Sequence, residues 1–199
     1  VKRGFKFSGN NTVDIVTNDI IGTSAAYFSL NRLENENSYR TELVPNSMSI
    51  LYMKKGLHAR YGQAYWYGFR VFIPEDWQWD DDSHDSLVQW HGKADRDLGE
   101  VPRFPPLQLL IGTCPNEPGR NYRIRIAADY RRVQPPKGAE NRYIVLECHE
   151  IGSVTGDVGR WTDWIVKINF SYENDGYFTI WKNGRVVFEY SGPTAFNDD

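Results

Sequence analysis

Gln89 and His91 stand two residues apart in the run Leu87-Val88-Gln89-Trp90-His91-Gly92. In an extended chain side chains alternate between faces, so the amide and the imidazole share one face while Val88 and Trp90 take the other. The same test pairs Arg40 with Glu42, against Tyr39, Thr41 and Leu43. It pairs Arg123 with Arg125, against Tyr122, Ile124 and Ile126, and Lys167 with Asn169, against Val166, Ile168 and Phe170. Each of these four polar sets is a candidate for the open face of a sheet. An imidazole, with an ordinary pKa of about 6.5, exchanges protons near neutral pH. Amide and guanidinium groups hold a carboxylate and offset negative charge that develops during a reaction. These residue types suit the removal of a weakly acidic proton beside a carboxylate.

The elements that must carry these residues are strands. Helical spacing is nearly absent, and short alternating runs bounded by Gly, Pro, Asn and Asp recur along the chain. The clearest strands are predicted at 38–44, 64–73, 86–92, 107–111, 122–128, 143–147, 164–171, 177–182 and 185–190. The last two flank Asn183-Gly184, the pair favoured in a type I′ hairpin because both central residues need positive φ. This pattern predicts an all-β, antiparallel sandwich, and 199 residues fit a single domain of that class. The segments 74–85, 93–106, 114–121 and 131–142 are rich in Pro, Gly or charge. They read as long loops, where function often resides. There is no internal repeat or interdomain linker.

Composition narrows the partners. A net charge of −3 argues against a nucleic-acid protein, so an acidic ligand has to meet a local basic site. Seven Trp and twelve Tyr exceed what a core of this size needs, and aromatic faces are where sugar rings stack. No apolar run is long enough to span a bilayer, so no membrane partner is expected. A first residue Val1 rather than Met fits either removal of a leader or a trimmed chain. Cys114 and Cys148 could form one disulfide, and the sequence leaves the pairing open.

The segment from Leu87 to Gly92, following Ser38-Tyr39-Arg40-Thr41-Glu42-Leu43, resembles the paired motifs of the heparin lyase I and glucuronan lyase group of polysaccharide lyases. Trp164 to Lys167, Asp175-Gly176-Tyr177 and Trp181-Lys182-Asn183-Gly184 look like later strands of that group. The resemblance implies a jelly roll with a substrate cleft on its concave sheet, and cleavage of a uronic-acid-containing polysaccharide by β-elimination. It implies that His91, Gln89 and Arg40 are catalytic. Arg123, Arg125, Lys93, Glu42, Lys167 and Asn169 are the candidate substrate-binding residues. No cofactor is expected to be required. Calcium recurs in the resembled families, so a structural ion is compatible with the sequence, although Asp80-Asp81-Asp82 lacks the spacing of a calcium hand. A secreted or periplasmic monomer is expected. The family also uses a tyrosine in a final strand of the type Tyr-Phe-Lys-x-Gly-x-Tyr, following a segment like 192–198. The chain stops at Asp199, so the resemblance leaves two alternatives, a further strand beyond Asp199, which is the one expected, or a catalytic tyrosine elsewhere in the chain.

Other readings stay open at this point. A sugar-binding module or lectin would use the same sandwich without cleavage. A glycoside hydrolase would need two carboxylates facing each other across the bond, and no strand here carries such a pair at spacing two on the open face. A structural or viral jelly roll would make the Gln89 and His91 pairing coincidental. Arg40 with Glu42 could be an internal ion pair, and Arg123 with Arg125 a solvated face. His58, His84 and His149 carry no motif and read as structural or solvent-facing, while Trp77 and Trp79 could line a subsite or cap the sandwich edge.

Overall fold

The computed structural model describes residues 5–8, 13–17, 22, 24–28, 42–45, 59–79, 84–92, 100, 103–114, 119–132 and 143–197. These residues form twelve strands and one short 3₁₀ turn, Thr155–Asp157, with no α-helix among them. The chain divides into two compact units, 1–59 and 60–199.

In the first unit, β1 (Phe5–Ser8) pairs antiparallel with β4 (Glu42–Pro45), with Ser8 opposite Glu42. Strands β2 (Val13–Thr17) and β3 (Ser24–Phe28) form a second antiparallel pair. Of the strand predicted at 38–44, β4 contains the end, and 38–41 lie outside the described residues.

The second unit holds two four-stranded antiparallel sheets. One runs β6 (His84–Trp90), β7 (Leu107–Gly112), β8 (Asn121–Ala128), β9 (Val145–Ser153). The other runs β12 (Arg185–Ser191), β11 (Tyr177–Lys182), β10 (Trp161–Asn169), β5 (Ala64–Phe72). The sheets meet through alternate residues. Leu107, Leu109, Ile111, Tyr122, Ile124 and Ile126 of the first are buried, as are Trp164, Val166, Ile168, Phe178 and Ile180 of the second. Tyr122 meets Trp164 edge to face at 4.9 Å, and Tyr67 meets Trp90 at 5.3 Å. These inward sets are the ones that alternation assigns to the core, and truncating Trp164 to Ala should cost about 3–5 kcal/mol.

The predicted hairpin is present. Asn183 and Gly184 have φ of 49° and 76°, as a type I′ turn requires. The Asn183 Oδ1 accepts from the Asp163 N–H at 2.9 Å, and the Asn183 N–H donates to the Asp163 carbonyl at 2.8 Å, which ties the turn to β10. Cys114 and Cys148 are paired, with Cα atoms 6.0 Å apart.

Candidate active site

The first sheet aligns its polar residues in one row. Gln89 lies opposite Gln108, Gln108 opposite Arg125, and Arg125 opposite Cys148. Directly opposed residues share a face and stand about 5 Å apart. The amides of β6 and β7 and the guanidinium of β8 therefore line up across three strands. Trp90, turned inward against Tyr67, fixes the direction of the row: Gln89 points away from the core. His91 follows β6 directly and is exposed, and two residues beyond Gln89 it continues the same face.

Gln108 was not among the sequence candidates, although it is the single polar residue of Leu107-Gln108-Leu109-Leu110-Ile111. Its side chain is buried, and its Oε1 accepts from Arg125 Nη1 at 3.5 Å. The Arg125 guanidinium also lies 5.9 Å from the centre of the Phe104 ring. Burial lowers the Arg125 pKa from its ordinary value, which leaves the group charged at neutral pH. Among the described residues it has no carboxylate partner. A half-buried cation held by a neutral amide and a ring gains from an anionic ligand, because that ligand offsets the desolvation of the charge.

Arg123 shares the parity of Arg125 but not its environment. It is 1% exposed, its Nε donates to the Gly112 carbonyl at 2.7 Å, and its Nη2 lies 3.4 Å from Glu150 Oε2. The Glu150 carboxylate also accepts from Asn121 Nδ2 at 2.7 Å. The disulfide lies on the same face of the sheet. Cys148 occupies the face of Arg125 and bonds to Cys114, just past the end of β7. A Cβ built on Gly119 would lie 3.9 Å from Arg123 Nη2. Arg123, expected to bind substrate, is here an internal tie to Gly112 and Glu150.

Lys167 and Asn169 lie on a different surface. Both alternate with the buried Val166 and Ile168 of β10 and so face outward from the second sheet, across the core from Gln89. Lys167 Nζ lies 5.5 Å from the Trp66 ring and 5.4 Å from that of Tyr177. Asn169 Nδ2 donates to the Asp175 carbonyl at 3.1 Å. The structure therefore does not bring these two residues to the row. Glu42 is in β4 of the other unit, and Arg40, Lys93 and Asp80 to Asp82 lie outside the described residues.

His84, read from sequence as structural or solvent-facing, joins the open face. The β6–β7 register shifts between Ser86 and Val88, which sets Ser86 opposite Leu110 and His84 opposite Gly112. Leu110 and Gly112 alternate in step with Gln108, so His84 and Ser86 share the face of Gln89. Simple counting back from Gln89 would have chosen Leu87 and Asp85. Burial, then the positive charge of Arg125, lowers the His84 pKa and favours the neutral imidazole. Trp77 and Trp79 lie 6.4 Å apart, with Arg120 stacked 5.2 Å from Trp79.

A face with aligned amides, a cation with no carboxylate partner among the described residues and an exposed imidazole has the makings of a carboxylate-binding catalytic surface. The family model described as "Polysaccharide lyase" matches residues 5–199. The chain belongs to the polysaccharide lyase family. Membership decides between the open readings in favour of a lyase over a lectin, a hydrolase or a structural jelly roll. The crystal structure of endo-beta-1,4-glucuronan lyase from the fungus Trichoderma reesei superposes on this lyase with a TM-score of 0.64 and 20% sequence identity. The match covers 100% of this chain and 72% of that one. At that identity the likeness speaks to fold, and it bears out the antiparallel jelly-roll sandwich. No curated protein is significantly similar in sequence. No helix among the described residues of the lyase is long and apolar enough to cross a membrane.

Proposed function

We propose that this lyase cleaves a uronic-acid-containing polysaccharide by β-elimination on the face carrying Gln89, Gln108, Arg125 and His91. The observation that carries the reading is the Arg125 guanidinium, half-buried and aligned with two amides, without a carboxylate among the described residues.

The substrate carboxylate at C5 would take the place of that missing partner. Neutralised by Arg125 and hydrogen-bonded by the glutamines, it accepts the charge that develops when the C5 proton leaves. His91, exposed on the face of Gln89, is assigned as the base. The C5–H bond breaks, a C4–C5 double bond forms, and the C4–O bond to the neighbouring sugar breaks. The departing oxygen takes a proton from an acid group, the role the family gives to a tyrosine. One product carries the unsaturated uronate and the other a new chain end. Arg40, outside the described residues, keeps the catalytic role that the motif implies. Secretion into an oxidising compartment is part of this proposal, supported by the Cys114–Cys148 bridge.

The test is ultraviolet absorbance of the unsaturated product on polyglucuronate, polymannuronate and polyguluronate. The wild-type protein should release it from at least one. His91→Ala should lower kcat on that polymer by about 10²–10⁴-fold, the usual contribution of a positioned general base. Full activity in His91→Ala would remove that residue from the mechanism. Products without the double bond would overturn β-elimination.

A further inference from the structure

The polar row does not end the open face. Beyond it, toward the end of the sheet where His91 emerges, the face becomes apolar. Ala127 follows Arg125 by two residues and lies opposite Leu146, which is 53% exposed. Phe104, from the segment leading into β7, is 47% exposed and stacks on Tyr143 with ring centres 5.6 Å apart and planes at 21°. The Arg125 guanidinium lies within 5.9 Å of the Phe104 ring centre, so the apolar shelf adjoins the polar row directly.

An exposed ring on a surface ordinarily means little. Here its support is built. Arg103, the preceding residue, is buried with Glu100 in an ion pair whose side chains are 4% and 1% exposed. The Arg103 guanidinium sits 4.4 Å from the centre of Phe196, a buried ring that also contacts Tyr143 at 5.9 Å. The Pro106 carbonyl accepts from the Ala127 N–H at 3.0 Å, which fastens the other end of the segment to β8. Phe104 is held between two anchored neighbours, stacked on Tyr143 and adjoined by the Arg125 guanidinium, and still 47% exposed. Collapse onto the core would be the relaxed outcome for a mobile ring, and this arrangement prevents it.

We infer that Phe104, backed by Tyr143, is a sugar-stacking subsite next to the reacting residue, taking the pyranose ring of a neighbouring uronate in the same polymer. The C–H face of a pyranose suits the face of an aromatic ring, and the adjoining Arg125 supplies the cation that an acidic sugar demands. The subsite makes binding energy available only to chains long enough to span both places, and this favours polymer over short fragments. The inference rests on the lyase reading of the row.

The experiment compares Phe104→Ala and Phe104→Trp with the wild type. On the polymer that the wild type cleaves, Phe104→Ala should raise KM by about tenfold with the loss falling mainly on KM, as expected for losing one ring stack. Phe104→Trp should restore most of it. Affinity for intact polymer, measured by gel retardation in a His91→Ala background, should fall by a similar factor without depending on turnover. An unchanged KM together with unchanged retardation would overturn the subsite. If the wild type releases no unsaturated product from any polyuronate, the elimination reading fails by itself. The retardation comparison then still decides whether Phe104 holds sugar.

Discussion

The two sheets of the second unit carry outward-facing cations that look alike in sequence and differ in what surrounds them. On the sheet of β5 and β10 to β12, Arg70 pairs with Asp163 at 2.5 Å and Lys167 lies between the Trp66 and Tyr177 rings. Trp66 in turn stacks on Trp181 at 5.5 Å. Those cations are compensated where they stand, and an exposed ion pair of this kind contributes little. On the sheet of β6 to β9, Arg123 is compensated by burial against Gly112 and Glu150. Arg125 is the exception: among the described residues it meets an amide and a ring but no carboxylate. A cation on a strand face signals a ligand site only when its surroundings leave its charge unanswered, and that property belongs to the neighbourhood rather than to the residue.

The contrast can be broken most severely at Arg125. Arg125→Ala should lower kcat/KM on the cleaved polymer by about 10²-fold, since in the proposed elimination it removes the fixed charge facing the developing carbanion. Arg125→Lys should recover only part of this, because an ammonium lacks the planar fork that meets a carboxylate with two parallel bonds. Steady-state kinetics on the three variants measures both. A loss below threefold in Arg125→Ala would mean that the row does not hold the reacting group.

The fate of Arg123 should depend on the disulfide. Replacing Cys114 and Cys148 by Ser should destabilise the fold by about 3–4 kcal/mol, the chain-entropy value for a loop of 34 residues. Denaturant unfolding checks the figure. The same variant should make the Thr113 and Cys114 backbone amides exchange faster with deuterium, because the segment just past β7 loses its pin. Unchanged exchange would show that Arg123 and Gly112 hold that segment unaided.

The smallest effect is expected on the opposite sheet. Lys167→Ala should leave kcat/KM within about twofold of wild type, in line with the usual neutrality of exposed substitutions. A tenfold loss would show that substrate reaches the outward face of β10 and would dissolve the distinction between the sheets.

Alternation made much of this legible beforehand. The strands at 64–73, 107–111, 122–128, 177–182 and 185–190 are present within a residue or two, because in a half-buried sheet the side-chain period alone separates core from surface. Asn183-Gly184 marked its hairpin through the positive φ that the turn demands. Gln89 and His91 were legible for the same reason, flanked as they are by inward Val88 and Trp90. His84 was not, since a register shift between Ser86 and Val88 reverses parity along the strand and leaves no mark in composition.

What the amino-acid order determined unaided is therefore local: which residues extend, which turn, and which neighbours share a side. Whether two like residues meet solvent, a carbonyl or a substrate was decided only when distant segments closed over them. Arg123 and Arg125 share strand, side and chemistry, yet one is buried against the Gly112 carbonyl and Glu150 and the other lies beside Gln108 and Phe104. Lys167 shares the alternation of both and lies across the core, because strand period assigns a side within a sheet and says nothing of which sheet a strand will join.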